Sequence, residues 1–343
     1  MDAGWLDIFI NKTFQENRML TNIFFRRDAV FIFIVSVILF TLGLHHQEII
    51  GFESRFYLFA LEMWRSGIQW FPTTYHQPYP DYPVTSTLLI YLSAKLFGGL
   101  DKFAAVFPTS VAAALTLSAT YCIGALQSRR HGWYGVGFLL FTLAFVSQAR
   151  TISLDMYVTA VTSWLFYFIF SAKQQVKKTP WVVIILLLVA GFAVRGPIGL
   201  IIPVAVANVF YLLEKDWKTW VYFNILSVCV LLICVAVLSV VAYHVGGVAF
   251  MQDVFRMQVA GRMAVNRTPP FYFYFAESIG ACAITYPLAI AVVVGLISRL
   301  FKKNASPEIK FLRVLIGWVL IIMLGLSIPA DKKIRYILPA MPA

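Results

Sequence analysis

Charged side chains are scarce in this chain, so those at the ends of its apolar runs draw attention first. Glu53 comes directly after the first run, two residues before Arg55, in Gly51-Phe52-Glu53-Ser54-Arg55. A carboxylate held at fixed depth beside a lipid surface is what a general base needs to take a proton from a membrane-bound acceptor. Arg150 and Asp155 lie between two later runs, and Asp81 sits between prolines in Tyr79-Pro80-Asp81-Tyr82-Pro83, which stiffen the backbone around it. Cations follow: Arg195 at a break between two runs, then Arg256, Arg262 and Arg267, then Lys332, Lys333 and Arg335. Arginine forks and lysine point charges both bind phosphate oxygens, so these cations suit the phosphate of a membrane lipid. Plainer readings stand beside each of these. Asp155 can cap a helix, Glu53 and Arg55 can form a surface ion pair, Asp81 can serve a turn, and the lysines can anchor an interface.

The elements that must position these residues follow from composition. The chain has 343 residues, 60% hydrophobic and 13% charged, with a mean hydropathy of +0.78. Soluble domains carry roughly 25% charged residues, and apolar runs of about 18 residues recur here, enough to cross a ~30 Å hydrocarbon core. The expected fold is all-α, a polytopic transmembrane helical bundle. The net charge of +12 comes from 28 basic and 16 acidic residues. The basic residues are spread through short loops, where topology signals sit, which argues against a nucleic-acid partner. Cys122, Cys229, Cys234 and Cys282 all fall inside apolar runs without metal-ligand spacing, and His45, His46, His76 and His244 form no metal pattern. No cofactor is called for. A divalent metal would have only Glu53, Asp81 and the histidines to draw on.

The positive-inside bias orients the spans. Arg26 and Arg27 put the start of the first span, residues 29–44, on the cytoplasmic side. A long first outer loop follows, about 45–103, with amphipathic spacing at Phe56, Phe59, Ala60 and Met63. Val84–Phe97 is short for a span, and crossing would invert every later basic loop, so it is expected to lie in the interface. The later spans are expected as single rods over 104–126, 133–147, 154–172, 220–244, 277–297 and 311–328, with a hairpin of 181–194 and 197–213. A second outer segment covers about 245–275. On this topology Glu53, Arg55, Asp81, Arg150, Asp155, Arg195, Arg262, Lys332, Lys333 and Arg335 gather on the outer face. Outer loops are ordinarily poor in Lys and Arg, so an anion is expected to balance them. A transporter of lipid-linked saccharide is the alternative, but it calls for paired halves and ionisable groups at mid-membrane, and neither is seen.

In this order the motifs resemble those of the GT-C membrane glycosyltransferases, chiefly the bacterial lipid A aminoarabinose transferases, with the protein O-mannosyltransferases further off. Glu53-Ser54-Arg55-Phe56 is similar to the family's Asp-Glu-small-Arg-aromatic opening, with Phe52 where the Asp would stand. Tyr79-Pro80-Asp81-Tyr82-Pro83 resembles Tyr-Phe-Glu-Lys-Pro, with Tyr82 in place of the lysine. Glu62-Met63-Trp64 through Trp70, Leu154-Asp155-Met156, Val194-Arg195-Gly196, Pro270-Phe271-Tyr272-Phe273-Tyr274 and Lys332 through Leu338 echo further family stretches. The resemblance implies a GT-C bundle over residues 1–343, with a C-terminal part expected beyond. It implies an inverting transfer of one sugar from a polyprenyl-phosphate donor to an outer-leaflet acceptor, lipid A first, with a protein acceptor as the alternative. Glu53 and Asp155 would be catalytic. Arg55, Asp81, Tyr82, Arg150, Arg195, Arg262, Lys332, Lys333, Arg335 and Tyr336 would bind substrate. The location implied is the bacterial inner membrane, multi-pass, with the active site facing the periplasm.

Overall fold

The computed structural model describes residues 27–81, 83–260, 269–302 and 306–343; Tyr82 and Arg262 lie outside the described residues. Backbone N–H and C=O groups in hydrocarbon must be satisfied within the segment, so apolar runs fold as helices. In chain order they are α1 (Arg27–His46), α2 (Glu53–Ser66), α3 (Thr85–Phe97), α4 (Lys102–Ala125), α5 (Arg129–Leu140), α6 (Leu143–Ala149), α7 (Leu154–Gln174), α8 (Trp181–Arg195) and α9 (Pro197–Leu213). Then come α10 (Trp217–Phe255), α11 (Phe273–Ala281), α12 (Thr285–Gly295), α13 (Ile297–Leu300), α14 (Pro307–Ser327) and a 3-10 segment, Ile334–Ala340. One small hairpin, β1 (Thr73–Thr74) with β2 (Gln77–Pro78), follows α2. Among the described residues five helices are long and apolar enough to cross a membrane, or seven if each of two bent pairs is one span.

The centre is α4 packed on α7. Their apolar windows are 72% buried, against 17–28% for α1, α10 and α14, so these two form the interior and the others face outward. Small residues are buried on both helices, among them Ala112, Ala113 and Ala119 on α4 and Ala160 and Ser163 on α7, and they suit close helix packing. Buried hydroxyls return to their own helix: Thr116 donates to Ala112 O at 2.9 Å and Thr159 to Asp155 O at 2.8 Å. Helices α2 and α3 stand outside this core, and α2 buries Phe56, Phe59, Ala60 and Met63, the side its spacing marks.

Two expected rods are broken, and α10 runs past the end expected for it. Helices α5 and α6 meet at 76° and α11 and α12 at 117°. Pro287 explains the second bend: its ring has no N–H and clashes with the carbonyl four residues back, at Ala283. At the first, Thr142 is extended (φ −84°, ψ 104°) and its hydroxyl turns back to Phe138 O at 3.0 Å. The two bends face each other, with the hydroxyls of Thr142 and Thr285 3.1 Å apart beside an apolar cavity of about 510 Å³. Helix α10 is interrupted at Gly246 and Gly247, where the backbone leaves helical angles.

Helices α8 and α9 fold back on each other at Gly196. A Cβ on Gly191 or Gly199 would fall within 2.2 Å of the other's carbonyl oxygen, so only glycine allows this approach. That contact fixes the turn, and with it Arg195 at the end of α8.

Candidate active site

Asp155 lies in the first turn of α7, where the helix dipole favours a carboxylate. Antiparallel to α7, α8 ends at the same level and delivers Arg195 to it. Arg195 Nε lies 3.1 Å from Asp155 Oδ1, and Arg335 Nε, from the 3-10 segment, lies 3.4 Å from Oδ2. Arg195 is 3% exposed, whereas the Arg335 side chain is 19% exposed, so a ligand reaches this cluster from the Arg335 side. The Arg335 guanidinium rests 4.3 Å from the Phe52 ring centroid and 5.7 Å from that of Tyr336; Arg195 is 5.5 Å from the Tyr336 ring. Aromatic faces of this kind hold a cation without neutralising it.

Around this centre the Tyr336 hydroxyl donates to Asp331 at 3.1 Å, and Lys333 Nζ is 3.3 Å from the same carboxylate oxygen. Lys332 donates to the carbonyl of Pro269 at 2.8 Å. Tyr274 is wholly buried beside the group, within Coulombic range of Tyr336, Asp331 and Asp155. Lys332, Lys333, Arg195 and Arg335 against Asp155 and Asp331 leave two positive charges, the charge of a phosphate monoester reversed. Residues from Phe52, α7, α8 and the 3-10 segment thus meet at one end of the bundle.

Glu53 lies apart from this cluster, in a buried ion pair. It is 1% exposed, ion-paired to buried Lys102, and accepts N–H groups from Ile50 at 3.3 Å and Ile152 at 3.2 Å. Lys102 also donates to Glu48 O at 2.9 Å. Three donors engage this carboxylate in the interior, which sets it back from an incoming acceptor. Its geometry is that of a clamp joining the first loop, the start of α4 and the approach to α7. The neighbouring side chain, Phe52, is the one that faces Arg335.

Arg150 is engaged by backbone carbonyls. Its guanidinium donates to the carbonyls of Leu39 at 3.1 Å, Phe40 at 3.3 Å and Leu42 at 2.8 Å, so it closes the C-terminal end of α1. Arg55 is exposed, with its guanidinium 5.9 Å from the Tyr79 ring. Asp81 takes part through its backbone: its carbonyl accepts from the Gln258 side chain, which is 8% exposed. Gln258 also abuts Gly196, where an added Cβ would meet its Oε1 at 2.6 Å. Sequence reasoning passed over Gln258 and Lys102, and took Tyr274 only as part of the 270–274 aromatic stretch. Of the two passed over, Lys102 alone carried a signal, as a charge at the head of an apolar run. Among the described residues no three acid, histidine or cysteine side chains come together.

Comparison with known proteins bears on this arrangement. The model of the family described as dolichyl-phosphate-mannose-protein mannosyltransferase matches residues 81–244. The crystal structure of ArnT from Cupriavidus metallidurans bound to undecaprenyl phosphate superposes with a TM-score of 0.72 at 19% identity, covering 93% of this chain and 57% of ArnT. The fold is GT-C. The apo ArnT structure gives a TM-score of 0.69 at 18% identity with the same coverage. This chain therefore spans a little over half the length of the ArnT chains it matches, and it resembles both ArnT and the protein mannosyltransferases. No curated protein matches it.

Proposed function

We propose that this protein transfers a single sugar from a polyprenyl-phosphate donor to an acceptor in the outer leaflet of a bacterial inner membrane, with lipid A as the acceptor. The observation that carries this reading is the convergence of Arg195 and Arg335 on buried Asp155, with Lys333 and Tyr336 at its rim, in a fold shared with ArnT. The ArnT structure holds undecaprenyl phosphate, which supports a donor of the same class here.

In the proposed reaction the acceptor oxygen attacks the anomeric carbon as the bond to the carrier phosphate breaks, which inverts that carbon. Charge grows on the departing phosphate, and Arg335 and Lys333, the more exposed cations, stabilise it. Asp155 holds both arginines in place. Glu53 is committed to Lys102 and both Asp155 oxygens contact arginine, so little carboxylate is left to deprotonate an alcohol. An acceptor oxygen that is already anionic, such as a phosphate of lipid A, fits this site better than a serine or threonine hydroxyl. The mannosyltransferase model over 81–244 favours the second reading, a protein acceptor.

Mass spectrometry of lipid A from cells with and without the gene tests the proposal. A mass increment of one sugar residue that depends on the gene is the expected result. An unchanged lipid A, together with a glycosylated peptide in reconstituted vesicles, would move the acceptor to protein.

A further inference from the structure

Phe52 stands at the N-cap position of α2, where Ser, Asn or Asp would satisfy an open N–H of the first turn, and its side chain makes no such bond. The start of the helix therefore gains nothing from this residue type. Packing against the neighbouring core explains an apolar side chain there. It does not explain why the ring rests 4.3 Å from the Arg335 guanidinium, the cation on the open side of the cluster. A carboxylate in that place would neutralise Arg335, whereas a ring holds the cation and leaves its charge to a ligand.

The other acids and rings of the cluster are already occupied. Both Asp155 oxygens meet arginine, and one Asp331 oxygen serves Lys333 and the Tyr336 hydroxyl. The Tyr336 ring has Arg195, Lys333 and Arg335 at 5.5, 5.9 and 5.7 Å, so its faces also serve cations. A further cation on the substrate would find neither a carboxylate nor a ring to receive it in this cluster. The donor of the proposed reaction is a phosphodiester with one negative charge, set against the two surplus positive charges of the cluster. An ammonium on the sugar would cancel the donor's own charge and place a like charge beside Arg335 and Lys333. An uncharged sugar leaves one positive charge over, which an anionic acceptor oxygen meets. We propose that Phe52 makes the site selective for donors whose sugar carries no amino group, because it denies an ammonium the carboxylate it would need beside Arg335. This inference rests on the transfer function proposed above and names the sugar class for the same site.

The test measures binding alone, by thermal melts of the purified protein titrated with undecaprenyl phosphate that is bare, carries arabinose or carries aminoarabinose. Wild type is compared with Phe52→Asp and Phe52→Leu. Asp is a favoured N-cap and Leu stays apolar, so both variants fold. Wild type should bind the arabinose donor about ten-fold or more tightly than the aminoarabinose donor, since juxtaposed like charges are costly. Phe52→Asp should close that gap, weakening the first donor and strengthening the second. Phe52→Leu should keep the wild-type ratio, because it alters shape and not charge. Three results would each overturn the proposal: a wild type that binds the aminated donor as tightly or better, a Phe52→Asp ratio equal to wild type, or a Phe52→Leu ratio shifted as far as that of Phe52→Asp. Any of these, with bare undecaprenyl phosphate still bound, removes this inference and leaves the donor reading standing. Melting temperatures unmoved by all three lipids would remove the donor reading, and this inference with it.

Discussion

Glu53→Gln separates a clamp from a base. The substitution keeps the shape of the side chain but leaves Lys102, whose side chain is 6% exposed, charged and without its ion-pair partner. Removing one member of a buried pair costs about 3–5 kcal/mol, because the other charge stays buried and uncompensated. At about 2 °C per kcal/mol for a chain of this length, the melting temperature should fall by roughly 6–10 °C. Replacing both partners, in Glu53→Gln/Lys102→Met, removes the stranded charge and should recover most of that loss. Thermal unfolding of wild type, Glu53→Gln, Lys102→Met and the double variant in one detergent gives the double-mutant cycle directly. Transfer activity in Glu53→Gln should follow the folded fraction. A variant that melts like wild type but transfers no sugar would refute the clamp and return Glu53 to the chemistry.

Other outcomes follow from the same geometry. Arg335→Gln should raise the donor KM about ten-fold or more, from the ~1.5–3 kcal/mol of a hydrogen bond to a charged group, with little change in melting temperature since Arg335 is partly exposed; steady-state kinetics in vesicles read both. Gly196→Ala places a Cβ 2.6 Å from Gln258 Oε1 on a backbone at φ 68° and should destabilise by ~1–3 kcal/mol from the backbone alone; adding Gln258→Ala should relieve the clash but not the backbone strain. Burial works to raise the Asp216 carboxyl, but hydrogen bonds from Lys173 and Thr219 outweigh it and hold the group below the usual carboxylate range. Its contribution is therefore complete above the ordinary aspartate value and is lost as pH falls through the lowered one. Melting curves through the acid range should show Asp216→Asn, which keeps the helix cap, less acid-sensitive than wild type.

The sequence made the helices legible because apolar runs in lipid have only one way to satisfy their backbone. It also put Asp155 and Arg195 at the same level, since the helices on either side of the basic 173–178 loop run antiparallel, so residues forty apart end as neighbours. What it concealed is the direction each side chain takes. Glu53 and Phe52 are adjacent, and nothing in their order says that the acid turns inward to Lys102 while the ring meets Arg335. Nothing around Arg150 in the sequence signals that three carbonyls at the end of α1 await it. The bends at Thr142 and Pro287 lie inside unbroken apolar stretches, where hydropathy averages over the break. Gln258 is an ordinary polar residue whose partners, Asp81 and Gly196, are far away in sequence.

The back-to-back placement of residues 52 and 53 divides labour between neighbours. One side chain rivets the frame; the other rests against Arg335. A substitution at 52 can therefore reshape the surroundings of that guanidinium without loosening the joint beneath it.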